Sequence, residues 1–90
     1  MNDTLIAPTA AQPWAMPRIA STREHLIRAA DQLWRVQDNA SGRVLGHLRV
    51  AADPLGLRYR AERLHLETGA FRVIGEFWRV DDAVSALRYS

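Results

Sequence analysis

The sequence predicts a small α+β domain in which an antiparallel meander sheet of about four strands is preceded by one helix and followed by another. Three observations support this fold class. The chain has 90 residues, enough for one small core. Apolar residues alternate with a period of two from Trp34 to Trp78, which is typical of strands, and recur with helical spacing on either side of that stretch. Short connections that carry Gly separate the strand-like stretches.

The composition is that of an ordinary globular protein. Hydrophobic residues make up 48% of the chain and charged residues 24%, the formal net charge is +2, and Cys is absent. The absence of Cys excludes disulfides and thiolate metal sites. No apolar run approaches the ~20 residues that a membrane span needs, and the N-terminus lacks the features of a signal peptide. We therefore expect a soluble cytoplasmic protein without a membrane partner.

The first 20 residues predict a flexible tail ahead of a single domain over residues 21–90. Three prolines interrupt this stretch, and it has no periodic apolar face to bury. Trp14 and Met16 are the bulky exceptions, and we expect them to pack back onto the domain.

A helix is predicted to begin at Ser21 and to end near Gln32. Ser21 and Glu24 have the spacing of a capping box. In this motif the Ser hydroxyl accepts a hydrogen bond from an amide in the first helical turn, and the Glu carboxylate accepts one from the Ser amide. Leu26, Ala30 and the residues beside them then form one apolar stripe at helical spacing.

Four strands are predicted from the alternating stretches and the turns between them. They are Leu33–Asp38, Arg43–Ala51, Leu57–Leu64 and Phe71–Trp78. Gly46 and Gly75 occupy matching places in two of these strands. A Gly inside a strand suggests either a bulge or a helix packed close above it, and we favour the close helix.

The last predicted element is a short helix that begins near Asp81. The Asp81 side chain can cap the helix, and Asp82 lies near the positive end of its dipole. Ala83, Val84 and Leu87 recur at the spacing of a buried helix face.

Strict alternation assigns the strand residues to two faces, because successive side chains point to opposite sides of a sheet. The predicted core face collects Trp34, Val36, Val44, Gly46, Leu48, Val50, Leu57, Tyr59, Ala61, Phe71, Val73, Gly75 and Phe77. The predicted outer face collects Arg35, Gln37, Arg43, Leu45, His47, Arg49, Arg58, Arg60, Glu62, Arg72, Ile74, Glu76 and Trp78.

Six Arg on the outer face are the main functional signal. Cross-strand neighbours lie ~5 Å apart, so these guanidinium groups repel one another unless a partner neutralises them. The interpretation we favour is a small regulator or accessory protein that binds nucleic acid, more specifically double-stranded DNA, with Arg on phosphates or base edges and an aromatic ring as a stacking plane. The residues predicted to bind it are Arg35, Arg43, Arg49, Arg58, Arg60, Arg72, His47 and Trp78. In the alternative interpretation, Glu62 and Glu76 pair with the Arg locally and the face is merely solvated.

The stretch from Trp34 to Leu87 resembles the arm-type DNA-binding domain of tyrosine recombinases and the related plant ethylene-response-factor domain. Phe77, Asp82 and Ala83 are similar to those families' residues around the start of their helix, whereas Arg79 stands where they have Ser or Thr. The resemblance implies that the exposed sheet face reads the major groove. The contacting residues would then be Arg35, Arg49, Arg58, Arg60 and Arg72.

A second hypothesis is a protein-interaction module, such as a homodimer, with Leu45, Ile74 and Trp78 at the centre of its interface and Arg at the rim. Catalytic chemistry is not indicated. The three His residues lack the spacing of metal ligands, and the sequence has no Gly-rich phosphate loop and no Gly-x-Ser-x-Gly motif. We expect neither a metal nor a cofactor, and we expect the protein not to be an enzyme.

Overall fold

The structure, a computed structural model, describes residues 16–90. Five strands and one helix follow one another in chain order. They are β1 (Glu24–Ala30), β2 (Leu33–Asp38), β3 (Val44–Asp53), β4 (Gly56–His65), β5 (Ala70–Phe77) and α1 (Val80–Tyr89). Each strand pairs antiparallel with the next one along the chain, so the sheet has the order β1-β2-β3-β4-β5. The antiparallel meander and the C-terminal helix are confirmed, and the sheet has five strands instead of four.

The predicted N-terminal helix is wrong, because these residues form β1. Its apolar residues also suit a strand, and a two-residue turn ending in Gln32 places β1 directly against β2. Gln32 has a positive φ of 57°, as tight hairpin turns require. The Ser21 hydroxyl does donate to the Glu24 carboxylate over 2.5 Å, but this bond precedes a strand. Pairing with β2 outweighs the local helix signals.

Residues 16–20 contain no helix or strand, and residues 1–15, with the predicted packing of Trp14, lie outside the described part of the chain. Met16 is exposed, whereas Ile19 packs against the hydrophobic core. The Ala20 amide donates to the Asp81 carboxylate over 3.0 Å. This contact joins the chain before β1 to the beginning of α1.

The helix α1 buries the face that the sequence predicts, with Ala83, Val84 and Leu87 turned inward. Its N-cap residue is Arg79, which makes no side-chain capping hydrogen bond. The prediction that Asp81 caps the helix is wrong, because its carboxylate lies in the first turn and binds Ala20 instead.

The hydrophobic core lies between α1 and one side of the sheet. The helix contacts β3, β4 and β5, and the most deeply buried large side chains are Val36, Leu48, Val84 and Leu87. Each such burial contributes roughly 1.5–3 kcal/mol to the free energy of unfolding. Tyr59 and other partly buried side chains pack around this cluster. The predicted core face is correct for the middle of the sheet.

Arg88 connects the end of α1 to the two strands that lie beyond the helix. Its guanidinium binds the carboxylate of Glu24 on β1, and its Nη2 lies 2.6 Å from Oδ1 of Asp38 on β2. The hydrogen bond from Arg88 is the largest cause that holds the pKa of the Asp38 carboxyl well below its usual range. The ion pair therefore stays intact at neutral pH and links the end of α1 to β1 and β2.

Two bulges change the alternation near one end of the sheet. Val36 pairs with Gly46 but Gln37 pairs with Val44, so Leu45 is an extra residue in β3. Ala61 likewise pairs with Gly75 but Glu62 pairs with Val73, so Ile74 is an extra residue in β5.

The bulges reverse the face prediction for five residues, because a one-residue slip moves a side chain to the other side of the sheet. Val44, Phe71 and Val73 were predicted in the core, yet they lie on the outer side and are 48%, 43% and 55% exposed. Leu45 was predicted on the outer face, yet it is buried in the core cluster. Arg72 pairs with Arg63, whose guanidinium binds the Leu87 carbonyl, so Arg72 lies on the helix side.

At Gly46, β3, β4 and α1 approach one another closely. A Cβ at this position would lie 2.4 Å from the Glu62 carbonyl oxygen and 2.7 Å from Cδ2 of Leu87. The close helix predicted at Gly46 is confirmed, and the bulge beside it is present as well. At Gly75 the nearest group is the ring of Phe77, at 2.9 Å from such a Cβ.

We predict that Gly46→Ala lowers the free energy of unfolding by about 2 kcal/mol or more, because backbone must move to admit the methyl group. Gly75→Ala is the matched control and lowers the free energy of unfolding by less, since the group nearest to its methyl is the far end of the Phe77 side chain. Urea unfolding followed by circular dichroism measures both. Equal losses in the two variants would contradict the close approach at Gly46.

Candidate binding surface on the open sheet face

The side of the sheet that faces away from α1 is the candidate functional surface, called here the open face. Cross-strand pairing places one continuous row on it, from Ile27 on β1 through Arg35, His47 and Glu62 to Val73 on β5. The neighbouring positions divide the face into two parts. The ionic end comprises Arg49, Asp53, Arg58, Arg60, Glu62 and Glu76, and the apolar end comprises Val44, His47, Leu64, Phe71 and Val73.

Acidic side chains of the ionic end already bind its arginines. Arg49 Nε lies 3.0 Å from Oε2 of Glu62, a carboxylate that is almost fully buried. Glu76 accepts from two guanidinium groups, at 2.8 Å from Nη2 of Arg60 and 3.1 Å from Nη2 of Arg58. The local pairing of Glu62 and Glu76 in the alternative interpretation is therefore present, and it offsets the repulsion among Arg49, Arg58 and Arg60.

Arg58 is the most constrained of these arginines. Its Nη1 lies 3.6 Å from Oδ2 of Asp53, and its guanidinium carbon lies 4.4 Å from the centroid of the Trp78 ring. Arg prefers such stacking on aromatic faces. Trp78 is half exposed, so it extends the open face beyond the end of β5.

The other three predicted arginines are placed differently. Arg35 and Arg43 are exposed near the apolar end, and neither has a carboxylate partner among residues 16–90. Arg72 lies on the helix side. The structure thus brings Arg49, Arg58, Arg60 and Trp78 together, puts Arg35 and Arg43 near His47, and removes Arg72 from the predicted site.

The apolar end combines an aromatic stack with exposed aliphatic side chains. The rings of His47 and Phe71 lie parallel, 19° apart in orientation and with centroids at 4.2 Å. Val73 and Leu64 extend this area along β5 and β4. Val44, Phe71 and Val73 were not predicted as surface residues, although Gly46 and Gly75 lie directly beside the bulges that turn them outward.

The pKa of His47 lies below its usual value, chiefly because burial under Phe71 and its neighbours disfavours the charged imidazolium. The negative charge of Glu62, directly opposite on β4, acts in the other direction, and the positive charges of Arg35 and Arg49 lower the pKa further. At neutral pH the ring is therefore uncharged, as suits its place in the apolar end.

The predicted interface centred on Leu45, Ile74 and Trp78 is changed by the same register shifts. Leu45 is buried in the core and is not available to a partner. Ile74 and Trp78 are exposed, and the open face also exposes Val44, Leu64, Phe71 and Val73, which the predicted interface did not include.

Within residues 16–90, no group of His, Asp and Glu is arranged to hold a metal ion. No helix in this part of the chain is long and apolar enough to cross a membrane. Comparisons of the chain with protein-family models, curated proteins and solved structures found no match. The resemblance to the recombinase and ethylene-response-factor domains stays a prediction.

We predict that Glu62→Gln lowers the pKa of His47 further, because it removes the opposing negative charge that favours the imidazolium. An NMR titration of the imidazole carbon shifts measures this change. Asp31→Asn, in the distant β1–β2 turn, is the control and leaves the His47 titration unchanged. A higher His47 pKa in Glu62→Gln would contradict the described geometry.

Proposed function

We propose that the chain is a small interaction module that self-associates through the open face of its sheet. The observation that carries this proposal is that α1 covers only one side of the sheet and leaves Val44, Phe71 and Val73 about half exposed on the other. A contiguous apolar area on an otherwise polar surface is typical of a binding site.

The charges of the open face suit a second copy of the same chain. The ionic end carries Arg and Glu in bound pairs, so a partner need not supply a large opposite charge. In a two-fold arrangement each copy presents the same mixed surface, and pairs can form across the interface in both directions. Arg and aromatic side chains such as Trp78 are also enriched in protein interfaces.

The size of the open face is compatible with a specific dimer. Five strands spaced ~4.8 Å apart, with about eight residues each at ~3.3 Å, span a flat area of roughly 600 Å². The accessible surface of a pleated face with side chains exceeds its flat projection, which brings it near the ~800 Å² per partner of a standard interface. Packing two such faces would give a layered α/β/β/α assembly.

We predict that the full chain is a dimer by sedimentation velocity and that Val73→Lys raises its dissociation constant by about 30-fold or more, because the dimer would bury an added charge. Val73 is exposed and lies opposite Glu62, so the monomer tolerates Lys there. Leu55→Lys, at a turn residue that is 83% exposed, is the control and leaves the dimer intact. A chain that stays monomeric up to about 1 mM would refute the proposal.

Binding to nucleic acid is a second candidate function, and Arg35 and Arg43 favour it. Both are exposed and lack a carboxylate partner within the described residues, so their guanidinium groups are available to phosphates. Substitution of Arg49 or Arg60 is a less specific test of nucleic-acid binding, because both are already paired with carboxylates. Replacing Arg49 also leaves the buried Glu62 carboxylate without its partner.

We predict that, if duplex DNA binds, the double variant Arg35→Gln, Arg43→Gln weakens binding. The slope of the logarithm of affinity against the logarithm of salt concentration also becomes less steep by about 2, one for each lost phosphate contact. Gel shifts on random duplex at several salt concentrations measure this. Arg28→Gln is the control, since Arg28 binds Asp31 near the other end of the sheet. A parent chain that fails to shift duplex at low salt would eliminate this candidate.

A further inference from the structure

We propose that pH controls self-association through the open face, because protonation of His47 separates the two copies. This inference rests on the proposed function and names the side chain that regulates the same surface. A neutral imidazole suits an apolar contact between copies, whereas an imidazolium does not.

The His47 side chain lies within the apolar end of the open face, on the middle strand of the sheet. Its ring stacks on Phe71 with the two centroids 4.2 Å apart. Val44 precedes it on β3, and Val73 lies further along the same cross-strand row. These three apolar neighbours are about half exposed. A second copy seated on them would therefore also cover the imidazole.

The charged groups around His47 offer little compensation for a proton on its ring. Arg35 lies directly opposite on β2 and Arg49 lies two residues further along β3, so both guanidinium groups repel an imidazolium. Glu62, opposite on β4, attracts it, but this carboxylate already accepts from Arg49 Nε over 3.0 Å. From β5 the contact is the uncharged ring of Phe71.

Self-association would remove the water that still solvates the imidazole. In the separate chain the ring is half-buried, and this burial already lowers the pKa of His47 below its usual value. A second copy would complete the burial, and burying a charge without a partner is costly. The pKa of His47 is therefore lower in the dimer than in the monomer.

This difference in pKa sets the direction of the pH dependence. Above the His47 pKa of the monomer the ring is neutral in both states, so the dimer has its full stability. Below it the monomer gains a proton that the dimer excludes, so dissociation becomes more favourable as the pH falls. Because a two-fold dimer contains two copies of His47, its dissociation constant rises by up to about 100-fold per pH unit, tenfold for each ring.

The other two imidazoles lie outside the apolar end and provide matched controls. His25 is exposed on the edge strand β1, where it pairs with Gln37. His65 lies at the end of β4 on the helix side and pairs with Ala70.

The test measures the dissociation constant of the full chain by sedimentation velocity between about pH 7.5 and about pH 5, where an imidazole titrates and most carboxylates do not. We expect the constant to rise by about tenfold or more across this interval. His47→Gln, whose side chain is uncharged throughout, removes the rise, whereas His25→Gln and His65→Gln keep it. Circular dichroism at each pH checks that the chain stays folded.

A second measurement follows the same coupling from the proton side and needs no variant. NMR titration of the His47 imidazole carbons is carried out at chain concentrations well below and well above the dissociation constant. Coupling between two binding events is reciprocal, so the pKa of His47 falls as the concentration rises.

Each alternative outcome would overturn the proposal. A dimer whose dissociation constant does not change with pH, or a His47 pKa that does not change with concentration, would refute the pH control while leaving self-association intact. An equal rise in the parent chain and in His47→Gln would assign the proton to another group. A chain that is monomeric at every pH up to about 1 mM would refute self-association together with its control.

Discussion

Two single-residue bulges, at Leu45 in β3 and at Ile74 in β5, determine which side chains reach each side of the sheet. They move Leu45 into the core and turn Phe71 and Val73 outward, where the Phe71 ring stacks on His47. The bulge in β3 lies beside Gly46, where β3 closely approaches the Glu62 carbonyl, one residue before the β3–β4 ladder begins at His47. The apolar end of the open face thus has its origin in the two bulges.

Most of the fold could be predicted from the sequence, because period-two alternation and turn residues act locally. The bounds of β2 to β5 and the buried face of α1 followed from these signals. The segment that became β1 could not be assigned in this way, since Leu26 and its neighbours fit a helical stripe as well as a strand. The conformation of this segment depends on two partners. One is β2, which pairs with it across a turn, and the other is Arg88, which is distant in sequence and binds Glu24. Tertiary contacts of this kind override local propensity.

The candidate site could be predicted only in part. Alternation correctly placed Arg49, Arg58 and Arg60 on one face, but it could not show that Glu62 and Glu76 lie within bonding distance of them, because that depends on register. Alternation also failed beyond each bulge. The repeated apolar-apolar-Gly pattern around Gly46 and Gly75 was the one sequence signal for the bulges. Because we explained these glycines by a close helix and not by a bulge, the register shift was not predicted.

The orientation of the Phe71 side chain tests this account most directly. Nuclear Overhauser effects in the isotope-labelled full chain would show which protons lie near its ring. The account predicts cross-peaks between the rings of Phe71 and His47, whose centroids lie 4.2 Å apart, and none between Phe71 and the methyl groups of Leu87. Cross-peaks from Phe71 to Leu87 without any to His47 would place the ring in the core. That result would contradict the bulge at Ile74 and remove the apolar end from the open face.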